Sequence, residues 1–197
     1  MTRARDLAAF VSNADGDIKF DTDTLFIDSS ANRVGISTNT PSAPLQVAQT
    51  PSDTVGNVGI SLKDVDNAIE FGLRLDSTSK DLHLDRYFNG VWHNHMSFDR
   101  STGNVGIGTV PDTWTAYTAQ QIKDGCIAST TGNNMIVGSN AYYNGGWKYA
   151  STNTASLYQQ GSGGHNFRTA SSGTADAAIT FAEKVAINEH GLTFNRY

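Results

Sequence analysis

The residues of this chain best placed to do chemistry begin with His93-Asn94-His95. On a strand, residues i and i+2 point to the same side, so the two imidazoles would face one way and offer two nitrogen ligands. A closed structural metal site needs about four, so one copy of the chain supplies too few. Carboxylates form a second set. Asp64/Asp66, Glu70/Asp76 and Asp81/Asp85 are candidate pairs for glycoside cleavage, in which one acid protonates the leaving oxygen and its partner acts as base or nucleophile. A third set is aromatic. Trp114, Tyr142, Tyr143 and Trp147 lie among Asn, Gly and Thr, and such rings can stack on a sugar as glycan or receptor contacts. The same rings suit a core or a subunit interface, a role expected also of His165 and Arg168. Other chemistries lack their motifs. There is no glycine-rich loop ending in Lys-Ser/Thr, no nucleophile elbow and no His-Glu-x-x-His, and Gly106-Ile-Gly108 lacks the third glycine of a dinucleotide fingerprint. No catalytic residue and no cofactor are expected.

The elements that must position these residues read as strands. Apolar content is 38%, below the about 45–50% usual for a self-sufficient core. Charged residues are only 17% and the net charge is −5, so little self-repulsion holds the chain open. Gly, Ser, Thr and Asn fill the remainder, scattered between short β-branched and aromatic runs, which describes many short strands joined by tight turns. A thin core with ordered β-structure points to stabilisation by oligomerisation. Cys126 stands alone, so no intrachain disulfide is available, and it reads as a small buried hydrophobe. A pI near 5.4 gives no electrostatic footprint for nucleic acid. No apolar run approaches the roughly 20 residues of a membrane span, and Met1-Thr-Arg-Ala-Arg-Asp does not read as a signal peptide, so neither a membrane nor export is expected.

Along the chain, Leu7, Phe10 and Val11 predict a short helix over residues 2–12, capped by Thr2 and stopped at Asn13-Ala-Asp-Gly16. Strands follow at 17–20, 24–27, 68–75 and 81–87, and Asn89-Gly90 predicts a two-residue hairpin. The chain also repeats itself. Asp28-Ser-Ser-Ala-Asn-Arg-Val-Gly-Ile-Ser-Thr38, then Pro41, matches Asp99-Arg-Ser-Thr-Gly-Asn-Val-Gly-Ile-Gly-Thr109, then Pro111. Each aspartate can close a turn on its own backbone, and Asn-Arg or Gly-Asn tolerates positive φ. The returning Val-Gly-Ile strand places both branched residues on one face and glycine on the other. A strand glycine marks a close backbone approach, expected here from a neighbouring chain. Gly56-Asn-Val-Gly-Ile60 is a partial third copy, and residues 185–194 keep a looser strand–turn–strand outline. After Pro111 the texture shifts to Thr, Asn, Gly and aromatics. Three regions result: an attachment segment at 1–20, a shaft-like β-repeat domain at 21–111, and an aromatic and glycine-rich β domain at 112–197.

At these residues the chain resembles bacteriophage tail-fibre and related virion appendage proteins, especially from phages of aquatic bacteria. The phrase Gly103-Asn-Val-Gly-Ile-Gly-Thr109 with Pro111 carries the likeness. So does the run Thr154-Ala-Ser-Leu-Tyr158, Gly164-His-Asn-Phe167, Ala170-Ser-Ser-Gly-Thr-Ala175 and Ala178-Ile-Thr-Phe181. The opening Thr2-Arg-Ala-Arg-Asp-Leu-Ala8 is similar to the start of several cyanophage-type structural proteins. The resemblance implies an all-β, intertwined homotrimer of short strands and hairpins, located in the virion after assembly in the host cytoplasm. Its partners would be other virion proteins, through the N-terminal segment, and a host surface glycan. Around a threefold axis, His93 and His95 of three copies would supply six nitrogens, an octahedral set found in some tail fibres. The closest alternative is a trimeric capsid decoration protein; a glycan-cleaving tailspike enzyme is a further one.

Overall fold

The computed structural model describes residues 18–20, 24–63 and 70–195; the helix expected over residues 2–12, like Asp64 and Asp66, lies outside them. The fold is all-β, and the described residues contain no helix. Four short strands, β1 (Ile18–Phe20), β2 (Leu25–Asp28), β3 (Arg33–Ile36) and β4 (Leu45–Val47), form one sheet in chain order. A larger sheet begins with β5 (Ile60–Lys63), β6 (Glu70–Leu75), β7 (Leu82–Phe88), β8 (Val91–Phe98), β9 (Val105–Ile107), β10 (Thr118–Ile122), β11 (Gly125–Thr130) and β12 (Asn134–Ser139). The chain then makes a small ribbon, β13 (Tyr142–Tyr143) with β14 (Trp147–Lys148). It rejoins the sheet as β15 (Asn153–Gly161), β16 (Gly164–Gly173), β17 (Ala182–Asn188) and β18 (Gly191–Phe194), making twelve strands in all. The boundary placed after Pro111 falls in the connection between β9 and β10, which pair with each other, so the large sheet runs through it.

Asn89 and Gly90 take φ of +50° and +78° and close the predicted hairpin between Phe88 and Val91. The two good repeat copies are one structural unit built twice. In each, an antiparallel pair is followed by a crossover to a parallel strand: β2–β3–β4 in the first and β8–β9–β10 in the second. The Asp28 carboxylate accepts from the Ser30 hydroxyl and the Ala31 amide, and Asp99 accepts from the Ser101 amide and hydroxyl and the Thr102 amide. Positive φ falls at matching places, Asn32 with Gly103 and Ser37 with Gly108. One shared feature escaped the sequence comparison. Gln46 and Gln121 both sit beside the strand glycine on the parallel strand, and each uses Oε1 to accept the amide of the residue after the proline, Ser42 or Asp112.

The glycine of Val-Gly-Ile corrects an expectation. The backbone that crowds it belongs to its own chain. A Cβ on Gly35 would stand 2.3 Å from the Thr38 carbonyl oxygen, and one on Gly106 would stand 2.2 Å from that of Thr109. The chain doubles back tightly over its own strand as the crossover begins, so glycine is a requirement of the turn and not of an interface. The partial copy at 56–60 does not build this unit. Ile60 opens β5, which runs antiparallel to β6, and the Gln49 side chain occupies the space over Gly59. The looser copy does form a hairpin, β17 with β18.

Register sorts the large sheet into two unlike faces. On one, neighbours across the strands are Arg74, His83, Ser97, Gly106, Gln121, Cys126, Gly138 and Leu157. All are buried, beneath the chain's own connections. Its apolar centre gathers Trp114, Ala119, Cys126, Ala128, Ile136, Tyr142 and Leu157, with a smaller group around Ala141, Tyr149, Ala155 and Ile179. Burial pushes the Cys126 thiol up to about 11.

On the other face runs an eleven-strand row: Leu75, Leu82, Phe98, Val105, Gln120, Ile127, Val137, Tyr158, Phe167, Val185 and Phe194. A second row beside it holds Ile60, Leu73, Leu84, Met96, Ile107 and Ile122. This face lies open. Phe98 is 39% exposed, Val137 47% and Phe194 67%. The small sheet repeats the pattern, with Ile27, Val34 and Leu45 in a row and Leu45 63% exposed.

Gly106→Ala is expected to destabilise the fold by about 1–3 kcal/mol through overpacking against the Thr109 carbonyl, read as a lower urea midpoint. The repeat turns also predict a pH dependence. At Asp28, bonds from Ser30 and Ala31 hold the carboxyl below its ordinary range; at Asp99, burial opposes the charge but the Ser101 and Thr102 bonds outweigh it. Folded pKa values lie below unfolded ones, so this stabilisation is complete above about pH 4 and fades as pH falls through the folded values. In thermal melts, Asp99→Ala is expected to trail the parent at pH 7, with the gap narrowing steadily below about pH 4.

Candidate functional site

The densest polar cluster lies on the covered face of β6, β7 and β8. Asp81-Leu-His-Leu-Asp85 alternates as a strand should, but its polar members point inward: Asp81, His83 and Asp85 are buried while Leu82 is exposed. Arg74 stands beside them on β6. Its Nε donates to Asp85 Oδ2 at 2.7 Å, and its terminal nitrogen donates to the Ser52 carbonyl at 2.8 Å. The Gly56 amide adds a 2.9 Å bond to the same carboxylate oxygen. Arg74 is 2% exposed and Asp85 not at all; the arginine is compensated by Asp85, by Asp76 at 3.8 Å and by the Ser52 carbonyl, and Asp85 by Arg74 and the Gly56 amide. Val58 seats directly over Gly72, where a Cβ would stand 2.5 Å away. The adjoining Asp53 carboxylate accepts from the hydroxyls and amides of Ser77 and Thr78, led by Ser77, and these bonds hold it far below the usual range. Together these contacts pin the irregular segment 48–59 across the strands.

A second polar group adjoins it. His83 Nδ1 lies 2.9 Å from Ser97 Oγ and 2.8 Å from Asn94 Nδ2, and the Ser97 hydroxyl donates to Asn94 Oδ1 at 3.0 Å. Burial, reinforced by the Arg74 charge, lowers the imidazole pKa and favours the neutral ring, which accepts the amide proton at Nδ1. The distance is that of a nucleophile and its base, but Ser97 is 1% exposed and its proton is engaged by Asn94, so a substrate carbonyl has no approach. The triangle ties β7 to β8.

Of the carboxylate pairs considered for glycoside cleavage, Asp64/Asp66 lies outside the described residues, and the members of the other two are each engaged in separate contacts. Asp81 accepts the Arg100 amide, Asp85 is committed to Arg74, Asp76 closes the 76–79 turn, and Glu70 faces Lys63 at 3.7 Å. The aromatic set is corrected in part. Trp114 and Tyr142, 2% and 5% exposed, are core residues, though Trp114 also lines the groove beside Tyr117. The Trp114 indole donates to Gln121 Oε1, and the Tyr142 hydroxyl donates to Asp176 at 2.6 Å. Tyr143 and Trp147 are half-buried in an edge-to-face cluster with Tyr117 and Phe181. Beside Trp114 and Tyr117 opens a groove of about 540 Å³ edged by Thr115, Thr118, Ser129 and Thr130, which Tyr143 and Trp147 do not line. His165 stacks on Tyr158 and shares a 2.6 Å bond with its hydroxyl, and Arg168 faces Glu183 at 3.9 Å.

His93 and His95 are both exposed on the open face. His93 lies across from Arg86, and His95 is the extra residue of a bulge, edge-on to Phe71 at 6.3 Å. Among the described residues no cluster of three His, Cys, Asp or Glu side chains could hold a metal ion. Arg86 lies over the Phe88 ring at 5.1 Å, and its Nε is buried without a hydrogen-bond partner among the described residues.

Sequence reasoning missed the Arg74–Asp85 pair and the His83 triangle. The period-two alternation at 81–85 was visible, but alternation does not say which side is inward.

The chain matches no protein-family model, no curated protein and no solved structure.

Arg74→Met strands the Asp85 carboxylate and is expected to cost about 3–5 kcal/mol in denaturant unfolding, whereas Arg74→Met with Asp85→Leu should recover most of that loss.

Proposed function

We propose that this chain is a structural subunit of a bacteriophage virion, one of three identical chains in a short tail fibre or similar appendage that takes part in host attachment. The open apolar face carries this reading. Ten apolar or aromatic residues and one glutamine line a single row across eleven strands, with a second apolar row beside it. Soluble monomers rarely leave an apolar patch larger than a few hundred Å² in water.

Three copies with their open faces turned toward a common axis bury those faces at once and close the assembly. With strands crossing the axis and the row running along it, each level of the core receives the same residue from every copy. Eleven strands at about 4.8 Å give a stiff core some 50 Å long. The work is mechanical: residues 1–20 attach to other virion proteins, the sheets provide stiffness, and the exposed turns of 112–197 meet the host. The hydroxyl-edged groove beside Tyr117 is the surface of that region best suited to a glycan. The phrase resemblance at 103–111 and 154–181 supports the virion assignment.

Native mass spectrometry is expected to give about 63 kDa, three times the chain mass of 21.1 kDa. Phe98→Glu with Val137→Glu is expected to abolish that species. A cooperatively melting, well-folded protein at the single-chain mass would overturn the reading. Antibody labelling of particles should place the chain on the tail; labelling confined to the head would move it to a decoration role.

A further inference from the structure

The open row has one polar member in its interior, and it has an apolar counterpart in the other repeat unit. Gln120 lies between Val105 and Ile127, whereas the matching position of the first unit is Leu45, beside Val34. Gln120 is exposed, and its side-chain amide makes no hydrogen bond among the described residues. Its neighbour Gln121 points to the other face and uses all of its amide on Asp112, Trp114 and Lys123, so the contrast is one of position and not of residue type. No titratable side chain of β9, β10 or β11 shares the open face with Gln120: the others there are Val105, Ile107, Thr118, Ile122, Ile127 and Ser129.

Burying this face in an assembly takes the Gln120 amide out of water, which is costly unless the amide finds partners. The surface involved is broad enough for such an assembly, since two apolar rows cross the sheet, the longer over eleven strands with members such as Phe98, Val137 and Phe194 exposed. Threefold symmetry brings the same residue of the other two copies to the same level. An amide is both donor and acceptor, so three of them can close a ring in which each Nε2–H donates to the next Oε1. Any slip of one chain by a strand would set the amide against Val105 or Ile127 and leave it unpaired.

We infer that the partner of Gln120 is Gln120 of two sister copies, and that this hydrogen-bonded ring within an apolar core fixes the threefold register of the assembly. A buried polar residue in this role trades some stability for a single register and subunit number, as an isolated core asparagine does in coiled coils. The inference rests on the trimeric reading above and deepens it.

The test compares parent, Gln120→Leu and Gln120→Glu by native mass spectrometry and dilution at two pH values. Gln120→Leu should still assemble but as a mixture of subunit numbers, because the centre of the apolar row loses its amide. Gln120→Glu places three carboxylates together, and like-charge repulsion in a desolvated site should raise the trimer dissociation constant by at least about 100-fold at pH 8. Protonation of the introduced carboxylates near pH 5 should narrow the gap between Gln120→Glu and the parent measured at the same pH, since His93 and His95 on this face titrate alike in both proteins. A uniform Gln120→Leu trimer, or a Gln120→Glu trimer as tight as the parent at pH 8, overturns the ring while leaving the trimeric reading intact. A monomeric parent overturns the trimeric reading itself, and the ring with it.

Discussion

A β-sheet has two faces, and this chain has enough irregular connection to cover only one of them. The segment 48–59, the crossover from Pro111 and the 140–152 connection with its small ribbon lie over the covered side of the large sheet. That asymmetry accounts for the thin core and for the rows of Leu, Val, Ile and Phe left exposed. Closed barrels and paired sheets settle the same problem within one chain; here the described chain leaves that face open.

Covering a face with loops instead of a second sheet changes what the covered side must contain. Irregular backbone brings unpaired amides and carbonyls, and each needs a partner when buried. Apart from Leu157, the covered row is accordingly polar or small. Arg74 and Asp85 satisfy the backbone of Ser52 and Gly56, Gln46 and Gln121 satisfy the residues after the prolines, and Asn140 accepts the Ser151 amide and donates to the Thr154 carbonyl. The glycines at 35, 72, 106 and 138 let the covering chain or a large side chain settle close to the strands. The buried charges and histidine thus anchor loops, which makes them structural parts of the sheet's cover.

The two repeat units show how one device has been put to two uses. From Pro41 to Gln46 the crossover spans five positions, and from Pro111 to Gln121 it spans ten. The longer crossover carries Trp114 and Tyr117, which seed the aromatic cluster and the groove beside them. The aspartate turn, the positive-φ positions, the strand glycine and the glutamine are kept in both. What changes is the crossover length and the residue facing outward from the parallel strand, Leu45 in one and Gln120 in the other.

Local chemistry was legible from the residues: the Asn89-Gly90 turn, the aspartate-closed turns at 28 and 99, the Val-Gly-Ile strands and the all-β class follow from short-range sterics and hydrogen bonding. Each needs only a few neighbouring residues, so the order of amino acids determines it. Which side of a strand faces inward does not follow from alternation, because period two fits either side equally well. At Asp81, His83 and Asp85 the tertiary structure selected the polar side, where Asp85 meets Arg74 and the Gly56 amide, His83 meets Asn94 and Ser97, and Asp81 accepts the Arg100 amide. The same selection turned Trp114 and Tyr142 into core residues and left Phe98 and Val137 exposed. The sequence by itself determined where the chain turns and pairs; only the tertiary structure decided which face is covered, because that depends on long-range packing of connections that carry no periodic signal.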